Sequence, residues 1–194
     1  MHPPSAALVH WRSTSRAEIG LLVDTLLAAR LLGSAPTAEQ LLHAVVVQLA
    51  GRFQRFCRDL HDAAVDVLVA PTPEDYRALL RDVLLINRRL DRHNATSAAL
   101  RDDFGRFDLE LWSDLPGAPA KARETLDEVM SARNAIAHQD LGKLAHLRLD
   151  LAVFRSWRLT LDELAGAIDA AVMAKVGETA ERFLGSTMTG VLRS

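Results

Sequence analysis

Three residues close together in the sequence have side chains that could jointly cleave a phosphodiester bond. Arg133, Asn134 and His138 stand in the segment RNAIAH, at the end of a stretch with helical apolar spacing. Arginine holds a phosphate through a rigid fork of donors, and histidine moves protons near neutral pH. Cleavage without a metal requires both functions. A structural role is the alternative, in which Arg133 covers the last carbonyls of the helix and His138 interacts with the helix dipole.

The spacing of these residues sets a geometric condition on such a site. Asn134 and His138 are four apart and share a helix face. Arg133 and His138 are five apart, so their directions differ by roughly 140° on an ideal helix. Three arrangements could bring both side chains to one phosphate: the long reach of Arg133, a distorted last turn, or a second copy of the chain across a two-fold axis.

The composition and charge of the chain are typical of one globular domain. Its 194 residues are 49% hydrophobic and carry a formal net charge of −2, which excludes nucleic-acid binding by bulk positive charge but not by a local patch. The single cysteine, Cys57, cannot form an internal disulfide and is predicted to be a buried structural thiol. No segment is long and apolar enough to span a bilayer, and the N-terminus lacks the order of a signal peptide. We therefore expect a cytoplasmic protein with no membrane partner.

Helical periodicity runs along the whole chain, and no clear strand pattern competes with it. We predict an all-α, single-domain helical bundle over residues 16–190, after a loosely ordered N-terminal tail over residues 1–15. Capping patterns predict helix starts at Thr37, Thr72 and Thr160. The Pro- and Gly-containing segment 116–119 predicts the clearest surface break. The helix after Thr72 has a predicted apolar stripe made of Tyr76, Leu79, Leu80, Val83 and Leu84.

A second group of arginines could bind the backbone of RNA. Arg81, Arg88 and Arg92 recur at spacings that would align them on one helix face, where charge and bidentate contacts could track a strand. A solvated helix face is the simpler alternative. The histidines show no zinc-site spacing, and neither a P-loop nor a serine-hydrolase motif occurs. We therefore predict no metal and no cofactor.

The pattern R-N-x-x-x-H, formed by Arg133, Asn134 and His138, resembles the signature of the HEPN superfamily, helical proteins that include many metal-independent ribonucleases. The resemblance covers roughly the C-terminal half of the chain. That half is similar to the branch often labelled RiboL-PSP-HEPN. The further segments that carry it are Arg92-His93-Asn94-Ala95-Thr96 with Leu100, Phe104-Gly105, Leu111-Trp112 and Trp157-Arg158-Leu159-Thr160. That branch usually has glycine after the histidine, a residue that readily adopts positive φ. Because Gln139 stands there, the sequence leaves open how the backbone leaves the helix.

The resemblance implies a HEPN-type bundle with an active site at a homodimer cleft. It further implies a metal-independent endoribonuclease in which the RNA 2′-hydroxyl attacks, leaving a 2′,3′-cyclic phosphate and a 5′-hydroxyl. His138 would take or give the proton, Arg133 would stabilise the transition state, and Asn134 would orient the phosphate or the imidazole. The family suggests the toxin of a toxin–antitoxin pair or an antiphage defence protein, restrained by an antitoxin or defence-system partner. The alternative is a non-catalytic HEPN-like module that binds RNA or a protein.

Overall fold

The longest amphipathic stretch of the sequence forms the helix around which the others pack. In this computed structural model, which describes residues 3–115, 120–147 and 149–191, that helix is α3 (Ala35–Val69). Its buried face follows the helical period and includes Leu49, Phe53 and Leu60, none of which is exposed. Cys57 lies on the same buried face, which confirms the predicted structural thiol.

The remaining helices pack on α3 or on helices that contact it. They are α1 (Ala6–His10), continued by a π-helical turn (Trp11–Ser15), α2 (Arg16–Leu31), α4 (Glu74–Leu85), α5 (Ser97–Phe104), α6 (Leu111–Asp114), α7 (Ala120–Ala137), α8 (Leu141–Leu147) and α9 (Leu151–Val191). Short 3₁₀ turns occupy Arg89–Asp91 and Gly105–Phe107. One continuous hydrophobic core extends from Ala7 to Val176. No strand occurs among the described residues, and the predicted all-α, single-domain class is confirmed.

Part of the segment 1–15, which the sequence predicts to be a loosely ordered tail, is helical: Ala6–His10 and Trp11–Ser15 pack on the core. Trp11 is only 1% exposed and packs against Phe53 and Phe56, with ring centroids 5.6 and 6.1 Å away. Its indole Nε1 donates to Asp162 Oδ1 at 3.0 Å. Upstream, the Ser5 hydroxyl bonds the carboxylate of Asp169. The sequence did not predict this packing, because the partners of Trp11 lie far away in the sequence.

Two of the three predicted helix starts are wrong, because capping patterns also occur inside helices. The helix α3 begins at Ala35, so Thr37 lies in its first turn. The last helix begins at Leu151, where Asp150 Oδ1 accepts the backbone N–H of Val153 at 2.8 Å. Thr160 lies nine residues further on, and its hydroxyl donates to the Ser156 carbonyl at 3.1 Å. The start of α4 after Thr72 is confirmed, although Pro73 rather than Thr72 occupies the cap position.

The apolar stripe of α4 faces outward rather than into the core. Tyr76 and Leu79 are 59% and 62% exposed, and Leu80 and Val83 are exposed as well. Only the end of the helix packs on the core, through Leu84 and its neighbour Leu85. Helical periodicity therefore located an amphipathic helix correctly without showing whether a partner covers its apolar side.

Two further predictions concern the segment 116–119 and membrane-spanning helices. The segment 116–119, predicted to be a surface break, lies outside the described residues. Among the residues that are described, no helix has the length and apolar character that crossing a membrane would need.

Candidate active site

The predicted motif lies at the C-terminal end of α7, as its apolar spacing indicated. Buried residues on one face, including Leu126, Val129 and Ala135, fix the helix against the core. Arg133 and Asn134 are half-buried at the edge of that face, and His138 is exposed one residue beyond the last helical position. The motif is thus anchored by its helix and open to solvent at its imidazole.

A hydrogen bond joins Arg133 to Asn134, on the helix face that carries His138. Asn134 Oδ1 accepts from Arg133 Nη1 at 3.1 Å and from Asn94 Nδ2 at 2.6 Å. The guanidinium therefore bends toward Asn134, which shares its helix face with His138. The long reach of Arg133, one of the three arrangements, thus directs its guanidinium toward that face.

The last turn of α7 is regular up to His138 and then ends in a Schellman motif. The backbone N–H of His138 donates to the Asn134 carbonyl at 3.0 Å, an ordinary helical bond. Beyond it, Gln139 N–H donates to Ile136 O at 3.2 Å and Asp140 N–H to Ala135 O at 2.9 Å. A distorted last turn is therefore not how the motif residues are brought together.

Gln139 occupies the left-handed position that closes this motif, with φ of 52°. Glycine adopts this conformation without a steric cost, whereas a residue with a Cβ is disfavoured there by about 1–2 kcal/mol. The question that the sequence left open is thereby answered: Gln139 itself takes the conformation for which glycine is usual. The helix exit keeps its shape at the cost of local backbone strain.

The three arginines predicted to bind RNA do not lie on one helix. Their alignment assumed a continuous helix, but α4 ends at Leu85 and Arg88 lies beyond it. Arg88 is 8% exposed and donates to Asp62 Oδ1 at 2.6 Å and to Asp91 Oδ1 at 2.8 Å. Arg81 pairs with Asp66 at 2.8 Å. The remaining member, Arg92, is exposed and donates to Asn87 Oδ1 at 3.4 Å.

A histidine that the motif does not include is the most strongly perturbed titratable group near these arginines. His61 is fully buried against Phe104 and Phe107, with ring centroids 5.8 and 4.7 Å away. Burial, and then the cations of Arg88 and Arg106, lower the pKa of His61 to about 4. The imidazole is therefore neutral at physiological pH and serves as part of the core.

Asn94 is the site residue that the motif pattern did not indicate. It lies in the connection before α5, forty residues before Asn134 in the chain. Its sequence signal is its place in a polar run within the region similar to the HEPN branch. No local periodicity indicates a contact between two asparagines on separate elements.

A crevice on another part of the molecule does not include the motif. Its volume is about 660 Å³, and it lies between the α2–α3 turn and α8, lined among others by Arg30, Glu39, His43 and Leu144. The candidate site is defined instead by the hydrogen-bonded side chains at the end of α7.

Comparison with known proteins gives no relative for this chain. No protein-family model matches the sequence, and neither a curated protein nor a solved structure is similar enough to count as a match. The resemblance to the HEPN superfamily therefore stays a prediction carried by the motif and its flanking segments.

Proposed function

We propose that this protein is a HEPN-type, metal-independent endoribonuclease whose catalytic residues are Arg133, Asn134 and His138. The observation that carries the proposal is the shared hydrogen bonding of Arg133 and Asn94 to Asn134, next to an exposed imidazole. This arrangement offers a fixed cation and a proton carrier at one solvent-facing point.

The charge of Arg133 supports a role in phosphate binding. Among the described residues, its side chain has no carboxylate partner and donates to a neutral amide. A neutral acceptor orients the guanidinium without cancelling its charge. The remaining N–H groups of the fork can then bind two phosphate oxygens and stabilise the negative charge that develops on them.

The exposed imidazole of His138 supports the proton-transfer role. In the proposed step the 2′-oxygen bonds to phosphorus as its proton passes to an imidazole, and the P–O5′ bond breaks as the leaving oxygen gains a proton. One imidazole cannot stand on both sides of the phosphorus at once. A symmetric homodimer would bring a second His138 to the cleft for the other transfer.

A nuclease that needs no cofactor would require restraint inside a cell. We therefore propose a cytoplasmic toxin of a toxin–antitoxin or antiphage defence system, held inactive by a partner protein. The second candidate is a non-catalytic module that binds RNA or a protein through the same polar side chains, with no proton transfer by His138.

The test is incubation of total cellular RNA with purified protein in EDTA, followed by mapping of the new ends. Wild-type protein is expected to leave 2′,3′-cyclic phosphates, and His138→Ala to leave the RNA intact while retaining its fold. His146→Ala is the matched control, because His146 is an exposed histidine on the neighbouring α8. This variant should cleave RNA like wild type. RNA left intact by folded, dimeric wild-type protein would instead support the binding module.

A further inference from the structure

We infer that Asn94 is a positioning residue for the proposed cleavage, because it fixes the side-chain amide that aims Arg133. The inference rests on the proposed function and adds a residue outside the motif to it. Its basis is the 2.6 Å bond from Asn94 Nδ2 to Asn134 Oδ1, together with the way in which the segment around Asn94 is held.

The segment before Asn94 is fixed from α5 through its backbone. The buried carboxylate of Asp103 accepts the backbone N–H groups of Arg89 and Leu90, at 2.9 and 2.8 Å. A buried carboxylate that accepts two N–H groups is costly to disturb, because either donor would be left without a partner. The backbone leading to Asn94 is therefore held in one place.

The helix α3 holds the same segment from the other side. Gln54 Nε2 donates to the carbonyl of Leu90 at 3.1 Å and to the carbonyl of His93, the residue before Asn94, at 2.9 Å. Arg58 Nε donates to the Leu90 carbonyl at 2.6 Å. Side chains from two helices thus determine where the Asn94 side chain begins.

After Asn94, the chain is attached directly to α7, the helix that carries the motif. Asp127 accepts the backbone N–H of Ser97 at 2.8 Å and its hydroxyl at 2.6 Å. Trp112 Nε1 donates to the Ser97 carbonyl at 3.0 Å. Asp127 and Asn134 are seven residues apart, so they lie about two turns from each other on one helix face. The segment is consequently bonded to α7 at two points, Ser97 and Asn94.

The chemistry of the amide explains why this matters for Arg133. The two lone pairs of Asn134 Oδ1 are taken by Asn94 and Arg133. If the Asn134 amide rotated by half a turn, its NH₂ group would face a guanidinium that has only donors. Asn94 opposes that rotation from a fixed segment, and so keeps the oxygen toward Arg133.

Substitutions at Asn94 test the inference through cleavage rates of the full-length protein on RNA. In Asn94→Asp, a carboxylate of nearly the same size cannot donate to Asn134 and attracts Arg133 to itself. We expect kcat and kcat/KM to fall together by about 10- to 100-fold in Asn94→Asp and Asn94→Ala. Binding of a 2′-O-methyl RNA, which cannot be cleaved, should change by less than about 3-fold, because the aim of Arg133 matters most in the transition state. Gln48→Ala removes an exposed amide from α3 and should cleave like wild type.

A double-mutant cycle separates positioning from a general structural role. If Asn94 acts through Asn134, then Asn94→Ala lowers the rate in the wild-type background and adds no further loss in an Asn134→Ala background. Equal fold-losses in both backgrounds, or unchanged kcat in Asn94→Asp and Asn94→Ala while Arg133→Ala is inactive, would overturn the inference and leave the proposed function standing. Absence of cleavage by wild type would overturn the proposed function, and the positioning role with it.

Discussion

A buried arginine, Arg88, and a half-buried one, Arg133, show how differently this fold uses the same side chain. Arg88 lies between α3 and the 3₁₀ turn, bonded to the carboxylates of Asp62 and Asp91. Arg133 lies at the end of α7, bonded to the neutral amide of Asn134. Since a carboxylate cancels the charge of the guanidinium and an amide does not, Arg133 is the one of these two arginines that we propose binds an added anion.

The surroundings of Arg88 support this contrast. Hydrogen bonding to Arg88 lowers the pKa of Asp91, so the pair stays charged over a wider range of pH. Arg88 also donates to the Arg58 carbonyl at 3.3 Å, which ties it further to α3. Arg88 thus joins the segment before α5 to α3, whereas Arg133 has the substrate-binding role in the proposed function.

The largest expected effect is on cleavage, at Arg133. Arg133→Ala should lower kcat about 10²- to 10³-fold, because it removes the cation proposed to stabilise the transition state. Its matched control is Arg123→Ala, on the same helix and exposed, for which we expect a wild-type rate. The measurement is single-turnover cleavage of RNA in EDTA. Equal losses in the two variants would show that general charge, rather than the oriented guanidinium, is what matters.

The next effect is on stability, at Arg88. Arg88→Met should lower the free energy of unfolding by about 2–3 kcal/mol, since it leaves Asp62 without its cation and Asp91 with only the longer contact to Arg58 at 3.8 Å. The partial exposure of both carboxylates keeps the loss below that of a fully buried pair. Urea unfolding measures the change. Arg89→Met breaks the more exposed pair with Asp102 and should cost less than about 1 kcal/mol. A similar loss of unfolding free energy in both variants would show that the buried ion pairs of Arg88 stabilise the fold no more than the exposed pair of Arg89.

Stability should also depend on pH through His61, which lies near Arg88. The folded pKa of about 4 is below the ordinary 6.5, so the unfolded chain takes up the proton first as pH falls. The contribution of His61 is therefore complete above about pH 6.5 and is lost between 6.5 and 4, on the order of 3 kcal/mol. Arg88, Arg106 and Asp91 are the charged residues that act on the ring, and the backbone of Asp103 lies beside it.

The pH prediction is tested by urea unfolding of wild type and His61→Leu from pH 4 to 8. His61→Leu should retain more of its stability at the acidic end. Above pH 7 the difference in unfolding free energy between the two proteins should no longer change with pH. Parallel curves across the whole range would show that His61 does not titrate on unfolding in this window.

The smallest effect is expected at the backbone turn that ends the Arg133 helix. Gln139→Gly should stabilise the protein by about 0.5–1 kcal/mol, because glycine relieves the left-handed strain and part of that gain is lost to unfolded-chain entropy. The Schellman turn after α2 has Gly33 at φ of 73°, and Gly33→Ala should destabilise the protein by a similar amount. Thermal unfolding gives both values. Cleavage should persist in Gln139→Gly; its loss would assign the Gln139 side chain to the site as well.

What the sequence could predict depends on how local each feature is. The motif at the end of α7 follows from spacing within one helix, and so does the buried face of α3. The order of the N-terminal segment does not, because Trp11 is held by α3 and Asp162. The contact of Asn94 with Asn134 joins residues forty apart. The predicted alignment of Arg88 with Arg81 and Arg92 on one helix failed for the same reason, since the partner of Arg88, Asp62, lies on another helix.

The central claim is that the RNA supplies its own nucleophile at Arg133 and His138. The most direct measurement uses a synthetic RNA that contains a cleaved site, in EDTA, beside an identical strand with one 2′-deoxy nucleotide at that site. We predict that the all-ribose strand gives a 2′,3′-cyclic phosphate and that the deoxy strand is bound but stays intact. Equal cleavage of both strands, or of neither, would contradict the account.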